Sequence, residues 1–268
     1  MWFLLCLPKP LFNDSYSIIL NDKDGNLLSA KIAKDGQWRF PEAKTLNPKF
    51  VYSILAFEDE YFFQHKGINP FSIYRAFKQN RKAGKVVSGG STITMQLTRL
   101  IRQNQKRTYY EKLIEVIMAL RLELTYSKSE ILQLYSSHAP FGTNVVGVEA
   151  ASWRYFGRGL SELSWAECAT LAVLPNSPSI IYPGKNQNKL KQKRDRLLYK
   201  LLKLKCINEE TYFFFFLEPL PQKPFSLPNK SRHLLNRAVN ENITENDFQT
   251  TIDAEVQNRV LEILTKHS

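Results

Sequence analysis

Glu58 is the first residue in this chain whose setting invites chemistry. In the segment NPKFVYSILAFEDEYFFQHKG, residues 47–67, Val51, Leu55, Glu58, Phe62 and His65 recur at three- and four-residue steps, so a helix would gather them on one face. A carboxylate among Val, Leu and Phe is costly to ionise, which raises its pKa. Such a group can act as a general base or acid near neutral pH. The same spacing fits a Glu58 turned to solvent, because Asp59 and Glu60 give the segment a wet side; periodicity leaves both readings open. Glu115 is a second acid in apolar company, between Ile114 and the run Val116, Ile117 and Met118. Lys112 lies one turn earlier, and a structural Lys112–Glu115 pair is the plain reading. A basic, Gly-rich neighbour shifts the balance toward chemistry.

That neighbour is a block of one sign. Residues 66–110 contain no acid but carry Lys66, Arg75, Lys78, Arg81, Lys82, Lys85, Arg99, Arg102, Lys106 and Arg107. Cations concentrated around GKVVSGG (residues 84–90) suit an anion. SGGST is not a nucleotide P-loop, since the Lys that should follow the last Gly is missing. Thr92 and Gln96 follow the turn as uncharged donors on the polar face of the next helix, placed for ligand contact.

The elements that must hold these groups read as follows. Alternation at Tyr16, Ile18 and Leu20, a turn at Asp24-Gly25 and a return over 27–32 predict a β-hairpin. Asn47-Pro48 starts a helix expected to run to 65, and Asn69-Pro70 starts another to about 81. Ile93, Leu97, Leu100 and Ile101 form the buried stripe of a helix from 91. Leu113, Ile114, Ile117, Leu120 and Leu124 form that of a helix over 109–126. Shorter helices follow over 129–135 and 146–156. Ser164 and Glu167 form a capping box opening an apolar helix that stops before Pro175, and a basic amphipathic helix covers 189–205. After Glu210 the prolines at 219, 221, 224 and 228 mark an extended linker, followed by a strand over 248–252 and a helix capped by Asp253.

Composition bounds the function. A chain of 268 residues with 43% hydrophobic and 12% aromatic content can bury a sizeable core. A net charge of +12 implies an anionic partner: nucleic acid, a phosphate-bearing substrate or an acidic membrane surface. The basic block matches no nucleic-acid reading module, which sets nucleic acid aside. Cys6, Cys168 and Cys206 are too scattered for a disulfide scaffold or a metal site. The apolar start MWFLLCL is too short to span a bilayer; it reads as a buried segment or the end of a membrane anchor.

In this order, EDEYFFQHKG (58–67), SGGSTITMQLTR (88–99), RTYYEKLIE (107–115), KSEILQLY (128–135) and AASWRYFG (150–157) resemble family 51 of the glycosyltransferases, the peptidoglycan polymerases of bifunctional penicillin-binding proteins. The opening NDKDGNLLSAKIAKDGQWRFP, Met95 and APFGTNVVGVEAASW are most similar to the 1C subgroup. The likeness covers roughly 15–205. FQTTIDAEVQNRV resembles the entry to a transpeptidase module, but no Ser-x-x-Lys occurs, so no acylating nucleophile is present. The expected organisation is an anchor remnant or N-terminal segment over 1–14 and a hairpin over 15–45. A glycosyltransferase domain over 46–207 follows, then a linker with the start of a truncated module over 208–268.

The resemblance implies a mainly α, lysozyme-like, two-lobed domain at the outer, periplasmic face of the cytoplasmic membrane. It implies inverting glycosyl transfer that joins lipid II to a growing glycan strand, with polyprenyl pyrophosphate leaving. Glu58 then matches the general base and Glu115 the second carboxylate near the pyrophosphate, where a divalent ion (Mg or Mn) can assist. Arg99, Arg107, Lys112 and Lys128 are the implied cations. Asp59, Phe62, His65, Ser91, Thr92 and Gln96 match positions that shape the site, and the loop over 80–90 matches a lid. Partners implied are the anionic membrane surface and other cell-wall synthesis proteins. Departures are Met95 for the usual Gln, Glu111 for Arg, Gln133 for Glu and Ser137 for Asn. Glu111 would weaken anion binding, with Arg107 as the compensating charge. Both carboxylates persist, so activity is expected; the alternative is a weakly active or inactive membrane-surface scaffold that binds lipid II or partner enzymes.

Overall fold

In a computed structural model, residues 2–42, 45–85, 89–103, 108–241 and 245–267 are described. The chain is mainly helical with small strand elements. It runs α1 (Trp2–Leu5), β1 (Ile18–Asn21), β2 (Leu27–Lys31), β3 (Trp38–Arg39), α2 (Pro48–Glu58), α3 (Pro70–Ala83), α4 (Ile93–Ile101), α5 (Tyr109–Thr125) and α6 (Lys128–His138). It continues through β4 (Val145–Val146), α7 (Val148–Phe156), α8 (Trp165–Val173), α9 (Gln187–Lys203), α10 (Glu209–Phe216), α11 (Arg232–Glu241), β5 (Asp247–Gln249) and α12 (Ala254–His267). Among the described residues, no helix is long and apolar enough to cross a membrane.

The centre of the core is α8, buried from Ala166 to Val173 and flanked by α2, α7 and α9. Its start is the expected capping box, with Ser164 Oγ accepting from Glu167 N and Glu167 Oε2 accepting from Ser164 N. Cys168 packs there as a small hydrophobe, its thiol pushed up to about 12 by burial. Arg194 on α9 is buried too, its guanidinium donating to the carbonyls of Glu218 and Phe216 and to Asp195. That anchor fixes the rotation of α9 against the core.

The hairpin forms as expected, with β1 antiparallel to β2. The return of the C-terminal region is new: β5 pairs parallel with β1, and Leu235 of α11 packs with Leu20, Leu28 and Phe248 in a separate small core. The stretch expected to be a linker holds α10, started by Asn208, whose side chain accepts from Thr211 N, and then α11. The prolines from 219 to 228 themselves lie outside helix and strand.

Two expected faces are corrected. Helix α2 ends at Glu58, not at 65, because Asp59 leaves helical geometry (φ −158°, ψ 79°) and a separate short turn over 62–64 follows. Its buried side is Phe50, Ser53, Ile54 and Ala56, so Val51 and Leu55 are only half-buried beside Glu58. On α5 the buried side is Ile114, Glu115, Met118, Ala119 and Leu122, while Leu113, Leu120 and Leu124 face solvent. The leucine spacing marks a real stripe, but tertiary packing selects the face that carries Glu115.

Candidate active site

Four segments converge around α4. Its N-terminus is built by Thr92, whose hydroxyl accepts from Met95 N at 3.1 Å and donates to Gly67 O at 2.6 Å. Gly67 sits at φ +82° with the backbone oxygen of Ala119 only 2.9 Å from where a Cβ would stand, so glycine alone lets this strap approach α5. Asp59 completes the clasp: its Oδ2 accepts from Ile93 N at 3.1 Å, and both oxygens lie 3.0 Å from His65 Nε2. The break after Glu58 thus has a cause, since Asp59 turns away from α2 to cap α4. Thr92, expected as a ligand contact, is buried and spends its hydroxyl on this cap.

On the exposed side of α4, Gln96 and Arg99 reach in two directions. Gln96 Nε2 donates to Glu58 Oε2 at 2.7 Å, and Gln96 Oε1 accepts from Tyr135 Oη at 3.1 Å. Glu58 is half-buried as a residue, but its Oε1 is buried and without a hydrogen-bond partner. Burial raises the Glu58 pKa, Gln96 and Lys193 act to lower it, Asp59 adds to the rise, and the net shift is upward. Of the two readings of Glu58, this geometry favours the inward one.

One turn along, Arg99 grips Glu115 with both arms, Nε to Oε1 at 2.7 Å and Nη2 to Oε2 at 3.0 Å. Lys112 Nζ donates to the same Oε2 at 3.0 Å and to Ser91 Oγ at 2.7 Å. Burial opposes ionisation of Glu115, but the hydrogen bonds from Arg99 and Lys112 outweigh it and hold its carboxyl below the usual range. Two cations thus meet at Glu115, and Arg99 and Lys112 remain 20% and 40% exposed. Burial and then Glu58 push the Tyr135 phenol pKa up, and Arg99 acts to lower it; through Gln96 and Arg99, α4 bonds to both carboxylates.

Other expected residues sit elsewhere or serve differently. Lys128 does not join the cations at Glu115: its Nζ donates to Glu123 Oε1 at 2.8 Å and lies 4.2 Å from the centre of the Phe62 ring. Phe62 is fully buried and supports the site from behind. Glu111 is held by Arg102 through two bonds of 2.9 Å, so its charge is neutralised at its source. Arg107, expected in that role and as a pyrophosphate cation, lies outside the described residues, as do residues 86–88 of the expected lid. Tyr135, Glu123 and Lys193 were not singled out from sequence, and Arg102 was named only within the basic block. Tyr135 carried a signal as the last residue of KSEILQLY.

Concavity and chemistry part company here. A cavity of about 770 Å³ opens at the other end of α2, lined by Phe40, Glu42, Asn47, Glu149 and Trp153, and Glu58 and Glu115 do not line it. The paired, oppositely shifted carboxylates mark the site better than that void does. As for a resident metal, both oxygens of Glu115 already accept from cationic donors, one at Oε1 and two at Oε2. Among the described residues, no group of three or more His, Cys, Asp or Glu converges to hold an ion. This donor set does not fit a protein-held divalent ion.

One helix, α4, thus joins a carboxylate with a raised pKa to a carboxylate held by two cations. The sequence profile of the transglycosylases matches residues 24–202. The chain belongs to the transglycosylase family. It is 35% identical to penicillin-binding protein 1C of Escherichia coli over 96% of this chain and 33% of that protein. It is also 38% identical to a putative transglycosylase of Cupriavidus necator over 63% of this chain and 72% of that protein. The crystal structure of penicillin-binding protein 1A from Haemophilus influenzae aligns with a TM-score of 0.43 and 18% identity, over 91% of this chain and 28% of that one. The chain thus spans about a third of the length of its Escherichia coli relative.

Proposed function

We propose that this transglycosylase chain is a peptidoglycan glycosyltransferase that polymerises lipid II. One observation carries the reading: α4 hands Gln96 to Glu58 and Arg99 to Glu115 within a single helical turn. Gln96, oriented by Tyr135, holds Glu58 Oε2 and leaves Oε1 to take the proton of the acceptor 4-hydroxyl. A carboxylate whose pKa burial has raised is a better base for that proton than an ordinary one. As the hydroxyl oxygen attacks the anomeric carbon, the bond to the diphosphate breaks and charge gathers on the leaving oxygens. Arg99 and Lys112 are the cations available to receive it. Glu115 keeps them in place, and its own ionisation holds them together rather than moving a proton.

A diphosphate needs no proton to depart, which agrees with the absence of a general acid from these roles. Asp59, His65 and Thr92 position the start of α4, and Ser91 orients Lys112. The countercharge is assigned to side chains, and among the described residues no cluster of acidic, His or Cys side chains forms a ligand set for a divalent ion. Residues 46–207 form the catalytic unit in this reading, at the outer face of the cytoplasmic membrane, with the growing glycan strand as product and donor.

The test is product analysis. Purified protein given lipid II in detergent is expected to yield lengthening glycan and free polyprenyl diphosphate. Binding of lipid II with no elongation would instead leave a scaffold. Degradation of finished glycan would make the protein a hydrolase.

A further inference from the structure

Helix α4 reaches the two carboxylates with one side and is held by the other. Thr94 stands two residues before Gln96, so it leaves the helix on the far side, where it is fully buried. Its Oγ1 donates to Glu123 Oε1 on α5 at 2.6 Å, and Lys128 Nζ, at the start of α6, donates to the same oxygen at 2.8 Å. The Glu123 side chain is only 7% exposed. Its Cγ lies 3.0 Å from where a Cβ on Gly67 would stand, so the strap that Thr92 ties to α4 rests on the Glu123 stem. Lys128 in turn sits over the buried ring of Phe62, in the segment that follows Asp59. One carboxylate therefore touches α4, α6 and the strap.

Two carboxylates of α5 then set the register of α4. Thr94 meets Glu123 and Arg99 meets Glu115, so a forward step on α4 is a backward step on α5 and the helices run antiparallel. The two contacts lie about 7.5 Å apart along α4, and a slide or a rotation of the helix breaks both. The other buried side chains of α4, Ile93, Met95 and Leu97, are apolar and hold it without direction. Thr98 gives its hydroxyl chiefly to Met95 O within α4, at 2.8 Å, with Glu115 O farther off at 3.4 Å. The ends differ in duty. At one, Arg99 must serve both Glu115 and the departing diphosphate; at the other, Thr94 and Glu123 are buried and serve only each other and Lys128.

We propose that Glu123 is a positioning residue for the transfer: the fixed anchor of α4, holding Thr94 so that Gln96 and Arg99 stay aimed at Glu58 and Glu115. It touches no reacting atom and acts through Arg99 and Gln96. Lys128, expected as a cation for the substrate, becomes the counter-charge of this anchor. The role rests on the reading that Gln96 and Arg99 serve the two carboxylates, and it assigns a residue outside the motifs that carry the family resemblance. The anchor keeps the register of α4 while Arg99 shifts toward the leaving group.

The test moves α4 without altering the groups it presents. Glu123→Ala removes the anchor, Glu123→Gln keeps an acceptor oxygen, and Thr94→Val keeps the shape of the side chain while leaving the Lys128–Glu123 pair intact. Two readouts are taken on each: kcat and KM for lipid II, and the carboxyl midpoint of Glu115. The midpoint is followed against pH in ¹³C-glutamate-labelled protein and assigned by its loss in Glu115→Gln. Glu123→Ala is expected to lower kcat by about tenfold and Thr94→Val by about threefold, with KM within about twofold and most of the loss restored in Glu123→Gln. The Glu115 midpoint should rise in Glu123→Ala and Thr94→Val, as Arg99 is drawn off it, and return in Glu123→Gln. Should Glu123→Ala fail to fold, Thr94→Val carries the same expectation. A Glu115 midpoint that stays in place in folded Thr94→Val overturns the proposal, whatever the change in melting temperature. A wild type that never turns over lipid II, yet whose Glu115 midpoint follows residues 94 and 123, supports the anchoring of Arg99 and sinks the enzymatic reading instead.

Discussion

Glu58 and Glu115 are the same side chain, placed within reach of one helix, and their surroundings push their pKa values in opposite directions. Glu58 receives one neutral hydrogen bond and leaves an oxygen bare; Glu115 receives three from two cations. Burial raises both, and only at Glu115 do charged donors overcome it. Burial opposes ionisation of both acids, and the charged hydrogen-bond donors present at Glu115 and missing at Glu58 go with the opposite net directions.

That contrast can be broken in graded steps. The largest effect is expected from Glu58→Gln, which removes the proton acceptor and should cut lipid II turnover by about 10²–10⁴-fold while binding persists. Turnover and binding isotherms measured on one preparation separate the two. Next is Arg99→Met, which removes one of the two cations proposed to receive the diphosphate and deprives Glu115 of its bidentate partner. Turnover should fall by about 10²–10³-fold, and the carboxyl midpoint of Glu115 should climb toward that of Glu58. Gln96→Leu is expected to cost about tenfold. Losing its hydrogen bond raises Glu58 further, so the acid limb of the pH–rate profile moves up while the alkaline side holds. The smallest effect is from Thr92→Val, which loses the α4 cap and should lower stability by about 0.5–2 kcal/mol, read as a drop in melting temperature.

The sequence made the participants legible more readily than their arrangement. Asn47-Pro48, Asn69-Pro70 and the Ser164–Glu167 box act locally, through a side chain and the next few backbone groups, so their helices start close to where the pattern puts them. The end of α2 was not legible, because Asp59 breaks the helix to bond Ile93, a residue 34 positions away. The leucines of α5 misdirect for the same reason: spacing defines a stripe, and only the neighbour packed against it decides which stripe is buried. Glu115 was visible as a misplaced acid. Its grip by Arg99 crosses from one helix to another and leaves no periodic trace. Lys128 illustrates the converse, a lysine in a recognisable motif whose charge is spent on Glu123. Lys193 lies in a run of basic residues where nothing in the order of letters separates it from Lys191 or Lys200.

The most direct measurement is a pair of melting curves near pH 7.5, for Glu58→Gln and Glu115→Gln against the wild type. With its folded pKa above the unfolded value, Glu58 costs stability as pH rises out of the ordinary glutamate range toward its raised folded value. Glu115, with its folded pKa below, contributes stability that is present above the ordinary glutamate range and is lost as pH falls through its lowered value. Glu58→Gln should therefore melt above the wild type. Glu115→Gln should melt below it, by about 1–3 kcal/mol, less than for a fully buried pair because Arg99 and Lys112 keep some solvent. Shifts of the same sign would contradict the division of labour between the two carboxylates.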